Sequence, residues 1–212
     1  KTDCYALDVS RDGSKILYGS SIEESDIWSV RVADSQEFAV ASDVTAELWP
    51  DVSPDGRMIA YQSFQSMSQG SQISAGAIMA KASVADDLAE KPFKLSPDGV
   101  LPKWSPDGKQ VAFLRLDGAD YHLWSVAVTG GELHQMTVRP IPPIDRSVLP
   151  YLRYQTSYFM WSPDGSKIAY VTWSQTGGHI YSIASTGGNP TRLTSTEAYY
   201  SSPVYSPDGK TI

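Results

Sequence analysis

Trp104-Ser105-Pro106-Asp107-Gly108-Lys109-Gln110-Val111-Ala112-Phe113 is written, with variations, five times in this chain. The other copies are Val9-Ser10-Arg11-Asp12-Gly13-Ser14-Lys15-Ile16-Leu17-Tyr18, Val52-Ser53-Pro54-Asp55-Gly56-Arg57-Met58-Ile59-Ala60-Tyr61, Trp161-Ser162-Pro163-Asp164-Gly165-Ser166-Lys167-Ile168-Ala169-Tyr170 and Tyr205-Ser206-Pro207-Asp208-Gly209-Lys210-Thr211-Ile212. Their glycines stand at 13, 56, 108, 165 and 209, steps of 43, 52, 57 and 44 residues. A repeat of that length denotes an array of small supersecondary units. Within the decamer, Pro takes the second position of a type I turn and Gly the left-handed position that closes a bulged hairpin. A strand therefore enters at the aromatic residue and another leaves after the turn. The exit strands, such as Val111 to Leu114 and Ile168 to Val171, are apolar on both faces, as expected of strands covered on both sides.

Reading outward, each repeat adds two more strands. In repeat one these are Asp26 to Val32 and Glu37 to Ala41. In repeat three Tyr121 to Val128 is followed by a Gly130-Gly131 turn and Glu132 to Thr137; repeat four follows suit with His179 to Ala184, Gly187-Gly188 and Pro190 to Thr194. Repeat two is irregular: its third strand, Ala77 to Ala82, carries Lys81 where the others have Val30, Val126 or Ile183, and its last turn swells over Val84 to Lys91. Ser96-Pro97-Asp98-Gly99 imitates the turn motif without a strand after it and reads as a loop. Repeat five stops within its second strand. Pro50, Pro102 and Pro203 share one register in the first strands, with Phe159 in repeat four, which makes each first strand an edge lining a central channel.

The expectation is an all-β fold: a β-propeller of four-stranded antiparallel blades, with repeats at about 1–42, 43–95, 96–137, 138–194 and 195–212 in one domain. Four complete repeats and the start of a fifth imply that further blades, from this or another chain, close a ring of six or more. A formal charge of -7 over 212 residues argues against nucleic acid as a partner, because that needs clustered Lys and Arg. One cysteine, Cys4, forbids an internal disulfide, and no apolar run approaches the roughly 18 residues of a membrane span, so no direct insertion is expected.

The aromatic-Ser-Pro-Asp-Gly-Lys-x-Ile-Ala-Tyr or Phe signature, followed by Ile-Trp-Ser-Val or Ile-Tyr-Ser-Ile and a Gly-Gly turn ending in Leu-Thr, resembles the TolB-type β-propeller repeat, a relative of the WD-repeat. The Trp-Asp and Gly-His dipeptides of true WD-repeats are missing, and Arg11 replaces Pro in the first copy. The resemblance implies a noncatalytic interaction or sensor domain of a larger bacterial protein, in the periplasm or otherwise extracytoplasmic, with a protein or peptide partner. Its alternative implication is a gating or substrate-selecting propeller of a prolyl oligopeptidase-like or tricorn-like hydrolase.

No Gly-x-Ser-x-Gly elbow is present, and Gly209-Lys210-Thr211 belongs to the hairpin repeat, since position 204 is Val and not the Gly of a phosphate loop. His122, His134 and His179 lack paired-ligand spacing, so neither metal nor cofactor is expected. Strand parity puts the tight turns on one rim and the long connections, Gln62 to Gly76, Val138 to Ser157 and Ser195 to Ser201, on the other. On that loop rim the candidate binding residues are Gln65, Met67, Gln69, Tyr151, Arg153, Tyr154, Trp173, Tyr199 and Tyr200, several of them the aromatic and guanidinium groups that anchor interfaces.

Overall fold

The computed structural model describes residues 3–21, 25–42, 45–64, 76–83, 91–118, 120–141, 158–174 and 177–212. Blade 1 comprises β1 (Asp3–Val9), β2 (Lys15–Ser21), β3 (Ser25–Arg31) and β4 (Gln36–Ala41). Next come β5 (Ala46–Val52), β6 (Met58–Phe64), β7 (Gly76–Ala82) and β8 (Phe93–Trp104), then β9 (Gln110–Asp117), β10 (Asp120–Ala127) and β11 (His134–Gln135). Blade 4 is β12 (Phe159–Trp161), β13 (Lys167–Ser174), β14 (Gly177–Ala184) and β15 (Thr191–Arg192). Every pairing between these strands is an antiparallel neighbour-to-neighbour meander, in two four-stranded sheets and one of seven strands among the described residues.

The Ser-Pro-Asp-Gly hairpins form as their chemistry dictates. In each, the Gly N–H donates to the Ser carbonyl at 2.8–2.9 Å, closing the turn. The Ser hydroxyl donates to the Asp carboxylate at 2.6–2.7 Å and accepts the N–H five residues on at 2.9–3.0 Å. The five turn glycines have φ of 68 to 71°, a region closed to most side chains. Ser hydroxyls and backbone N–H groups hold the turn carboxyls below the usual range, to about 2 for Asp12 and Asp164. These aspartates are structural.

Successive turns also touch. The α-carbons of Gly108, Gly165 and Gly209 lie against Pro54, Pro106 and Pro163, so that a β-carbon there would stand 3.6–3.7 Å from the proline ring of the preceding blade. Gly56, which follows the Arg11 turn, has no such neighbour.

The core lies between blades. Leu17, Ile27 and Val40 of blade 1 meet Val52, Ile59 and Tyr61 of blade 2. Ala60, Ile78, Ala80 and Leu95 meet Trp104, Val111, Phe113 and Val126; Leu114, Leu123 and Met136 then meet Phe159, Trp161, Ile168 and Ile183. Two-sided burial of β6, β9 and β13 follows from this stacking. Lys81, the odd residue of repeat two, sits on the expected strand β7 and donates to the Val40 carbonyl of blade 1 at 2.9 Å.

Ser96 to Gly99 is not a loop. It lies inside β8, whose residues 93–99 pair with β7 and 100–104 with β9, so one strand is the outermost of blade 2 and the innermost of blade 3. The reasons are local. Gly99 has φ 152°, far from the turn value, and a β-carbon there would stand 2.7 Å from Phe113 and 2.9 Å from Ile78, so the close neighbours leave room only for glycine. The Ser96 hydroxyl donates to the Asp98 carbonyl, and the Asp98 carboxylate is held by Arg115 at 2.6 Å instead of by a serine.

The fourth strands of repeats three and four are two residues each, shorter than their sequence patterns predict, and 199–205 forms no ladder among the described residues. Thr137 and Thr194 end these strands by accepting the Leu123 and Ile180 N–H groups through their side-chain oxygens. The first-strand prolines are accommodated by bulges: the pairing of β5 with β6 shifts between Leu48 and Asp51, and that of β8 with β9 between Val100 and Lys103. Trp49, Leu101 and Ser202, each preceding a proline, adopt φ of 50, 56 and 49°.

Candidate functional site at the loop rim

β1 contacts β5 and β5 contacts β8, so the first strands converge on the axis of the array. Each runs from the loop rim to the Ser-Pro-Asp-Gly rim. Near the latter, Asp51 lies between blades 2 and 3. Its carboxylate accepts from Lys103 Nζ at 2.5 Å and from the Trp104 N–H at 2.6 Å, while the Trp104 indole donates to the Asp51 carbonyl at 3.1 Å. Burial works against the charge on Lys103, but the Asp51 and Asp8 carboxylates outweigh it and keep its pKa above the ordinary value. Asp8 makes the equivalent seam contact, accepting the Val52 N–H at 2.8 Å.

Beyond this seam, aromatic side chains pack against the core between blades. Trp49, Tyr121, Tyr158 and Tyr181 are partly buried against the cluster shared by blades 3 and 4. Burial, with Tyr121 nearby, pushes the Tyr158 phenol up to about 12; burial and Tyr181 do the same for Tyr170, opposed by Arg139. Tyr170 stacks on Tyr181 at 5.8 Å, and His179 meets the edge of Tyr181 at 6.4 Å. These rings form a rigid apolar surface with polar tips.

Of the residues the sequence proposes, Gln65, Met67, Gln69, Tyr151, Arg153 and Tyr154 lie outside the described residues. The backbone of Trp173 pairs with Gly178 near the end of the β13–β14 hairpin, and Gly178 in turn bridges to Ala198. That bridge brings Tyr199 and Tyr200 to the rim of Trp173. Tyr199 is 68% exposed, and the Tyr200 hydroxyl donates to the Thr196 carbonyl at 2.9 Å.

The sequence reading passed over Trp49, Tyr121 and Tyr158. The signal was there in part, since Trp49 precedes one of the register-sharing prolines. His122 is buried beside the Thr137 carbonyl, 3.0 Å away, and His179 stands 3.1 Å from the Thr194 hydroxyl, so both serve the strand ends.

A family model described as the TolB beta propeller domain matches residues 14–212. The chain belongs to this family. Among solved structures, the TolB-family fold of this chain is similar to TolB from Acinetobacter baumannii, at 19% identity and a TM-score of 0.69, over 99% of this chain and 47% of that one. It is similar also to the protein assigned as TolB from Agrobacterium tumefaciens, at 19% identity and a TM-score of 0.72, over 97% and 72% of the two chains. A puromycin hydrolase matches at 13% identity and a TM-score of 0.64, over 91% of this chain and 31% of that one. The chain thus spans about half the length of the Acinetobacter protein, and at these identities the likeness shows the fold alone.

Proposed function

We propose that this TolB-family propeller is a noncatalytic interaction domain whose loop rim docks a protein or peptide. The observation that carries the reading is the placement of Tyr199: a large aromatic side chain, 68% exposed, next to the Gly178–Ala198 bridge near the end of the β13–β14 hairpin. Aromatic residues held rigidly at the surface supply binding area at low entropic cost. Tyr151, Arg153, Tyr154, Trp173 and Tyr200 extend this face in our reading, with Gln65, Met67 and Gln69. An extracytoplasmic location, and a single domain with the repeat boundaries given above, belong to the same proposal. So does ring closure by further blades. Leu193 is 47% exposed where its counterpart Met136 is fully buried, and Val9 is 47% exposed where Trp104 and Trp161 are buried, so both outer faces suit a further blade of the same repeat.

The experiment is capture of partners on the wild-type protein and on two variants. One replaces Tyr154, Tyr199 and Tyr200 by Ala; the other shortens Gln65–Ser74 to a Gly-Ser turn. Loss of the captured partner with an unchanged melting temperature supports the reading. Retention by both variants, with loss on altering Gly130-Gly131 and Gly187-Gly188, places the partner on the other rim. A second reading, a propeller gating a hydrolase, draws on the likeness to the puromycin hydrolase. An α/β-hydrolase segment encoded in the same reading frame would favour it.

A further inference from the structure

The seams between blades are built from one set of positions, and the seam of blades 1 and 2 departs from the others at three of them. At the later seams the proline of one turn lies against the glycine of the next, Pro54 on Gly108 and Pro106 on Gly165, so that a β-carbon at the glycine would stand 3.6–3.7 Å from the ring. At the first seam Arg11 takes the proline's place. A tryptophan before the turn serine bonds back across the later seams, the Trp104 indole donating to the Asp51 carbonyl at 3.1 Å and the Trp161 indole to the Lys103 carbonyl at 3.2 Å. Its counterpart in blade 2 is Val52, whose side chain has no donor. On the third strand, Val126 and Ile183 join the apolar cores of the later seams, where blade 2 has Lys81.

Polar bonds fasten the first seam instead. The Lys15 ammonium of blade 1 donates to the Gly56 carbonyl in the turn of blade 2 at 3.1 Å, and the Lys81 ammonium of blade 2 donates to the Val40 carbonyl of blade 1 at 2.9 Å. The Asp8 carboxylate accepts the Val52 N–H at 2.8 Å. The seam is closed, since Leu17, Ile27 and Ile59 are fully buried within it. Its fastenings are nevertheless of a kind that water replaces at small cost: an ammonium on a long stem that leaves a carbonyl regains its hydration, and the carbonyl bonds water. Parting a later seam also bares a tryptophan and a β-branched side chain that the first seam does not have, and that loss grows with the apolar area exposed.

We propose that the seam of blades 1 and 2 is a hinge, at which blade 1 swings away from blade 2 as an intact sheet while the later seams stay shut. The ladders support motion of blade 1 as a unit. Its strands β1 to β4 form a four-stranded sheet of their own, whereas blades 2 and 3 share β8 and part only by losing ladder bonds. Opening uncovers the apolar strip of Leu17, Ile27, Val52 and Ile59. The hinge stands on the seam contacts and does not depend on which rim docks a partner.

The test is native-state hydrogen exchange of the wild-type protein, read at the two amides that donate across a seam to a carboxylate, Val52 to Asp8 and Trp104 to Asp51. The two residues are nearly equally buried, at 9% and 7% exposure, so a difference between them reports the seams. After correction for intrinsic rates, Val52 should exchange about tenfold faster or more than Trp104, and faster than the ladder amides of β2 and β3. Equal protection of Val52 and Trp104 overturns the hinge. Ladder amides that exchange as fast as Val52 overturn it too, because blade 1 would then be unfolding and not swinging. The variant Arg11→Pro/Lys81→Val restores the pattern of the later seams and should slow Val52 about tenfold or more while leaving Trp104 unchanged. No change at Val52 refutes the part assigned to these two residues, and the wild-type comparison stands even if that variant does not fold.

Discussion

Replacing Asp51 by alanine should be among the most damaging single changes available on this chain. Its carboxylate is the described anion in contact with Lys103, at 2.5 Å, and it also accepts the Trp104 N–H, with both side chains largely withdrawn from water. Asp51→Ala therefore leaves an ammonium buried without its partner, a change that costs about 3–5 kcal/mol. For a chain of this size each kcal/mol moves the melting temperature by about 2–4 °C, so a drop of roughly 6–20 °C is expected. Thermal and urea unfolding followed by circular dichroism measure it. The paired variant Asp51→Leu/Lys103→Met removes both charges and leaves chiefly the Trp104 N–H unsatisfied, worth about 1–3 kcal/mol. It should be more stable than Asp51→Ala. If Asp51→Ala costs less than about 1 kcal/mol, or if the pair costs as much as the two single changes added together, the seam is not held as described.

Arg11→Pro should stabilise by about 0.4–1 kcal/mol, because four other copies of the turn accept proline at this position with the same hydrogen bonds, and the ring can then lie against Gly56; denaturant midpoints decide it. Gly99→Ala should cost about 1–3 kcal/mol or more, since its β-carbon would stand 2.7 Å from Phe113 and 2.9 Å from Ile78 at φ 152°; an unchanged melting temperature would show that β8 can shift. The turn carboxyls titrate lower folded than unfolded, to about 2 for Asp12 and Asp164 against 3.8, so their contribution is present above pH 3.8 and is lost as pH falls toward 2. The melting temperature should decline across that window, and less steeply in Asp164→Asn; identical slopes would contradict the assignment.

How far the sequence carried can be judged from single residues. The five Ser-x-Asp-Gly turns, four of them with proline, were legible because every bond that makes them is local, from one serine, one aspartate and one glycine within six positions. The two-sided burial of strands such as Val111 to Leu114 and Ile168 to Val171 was legible because their apolar run recurs after the turns. Ser96 to Gly99 was misread because its four residues are those of the turn, and what straightens them is remote: Arg115 takes the carboxylate, and Phe113 with Ile78 crowd the glycine. Trp49 and Tyr158 escaped for a similar reason. Their packing against the core between blades depends on bulges and on the neighbouring blade, neither of which leaves a period in the chain. Tyr199 was singled out in the sequence because loop aromatics stand out against a repeat, whereas the neighbouring Gly178–Ala198 bridge has no sequence signature.

The unbroken course of β8 has a consequence for how the array comes apart. Blades 2 and 3 share one strand whose two halves are bonded to β7 and β9. Detaching either blade strips hydrogen bonds from the other, so the seven strands from β5 to β11 should exchange their amides as one cooperative unit. Under limited digestion, cleavage within 93–104 should then follow global unfolding, and a protease acting on the native chain should release a fragment that keeps these two blades together.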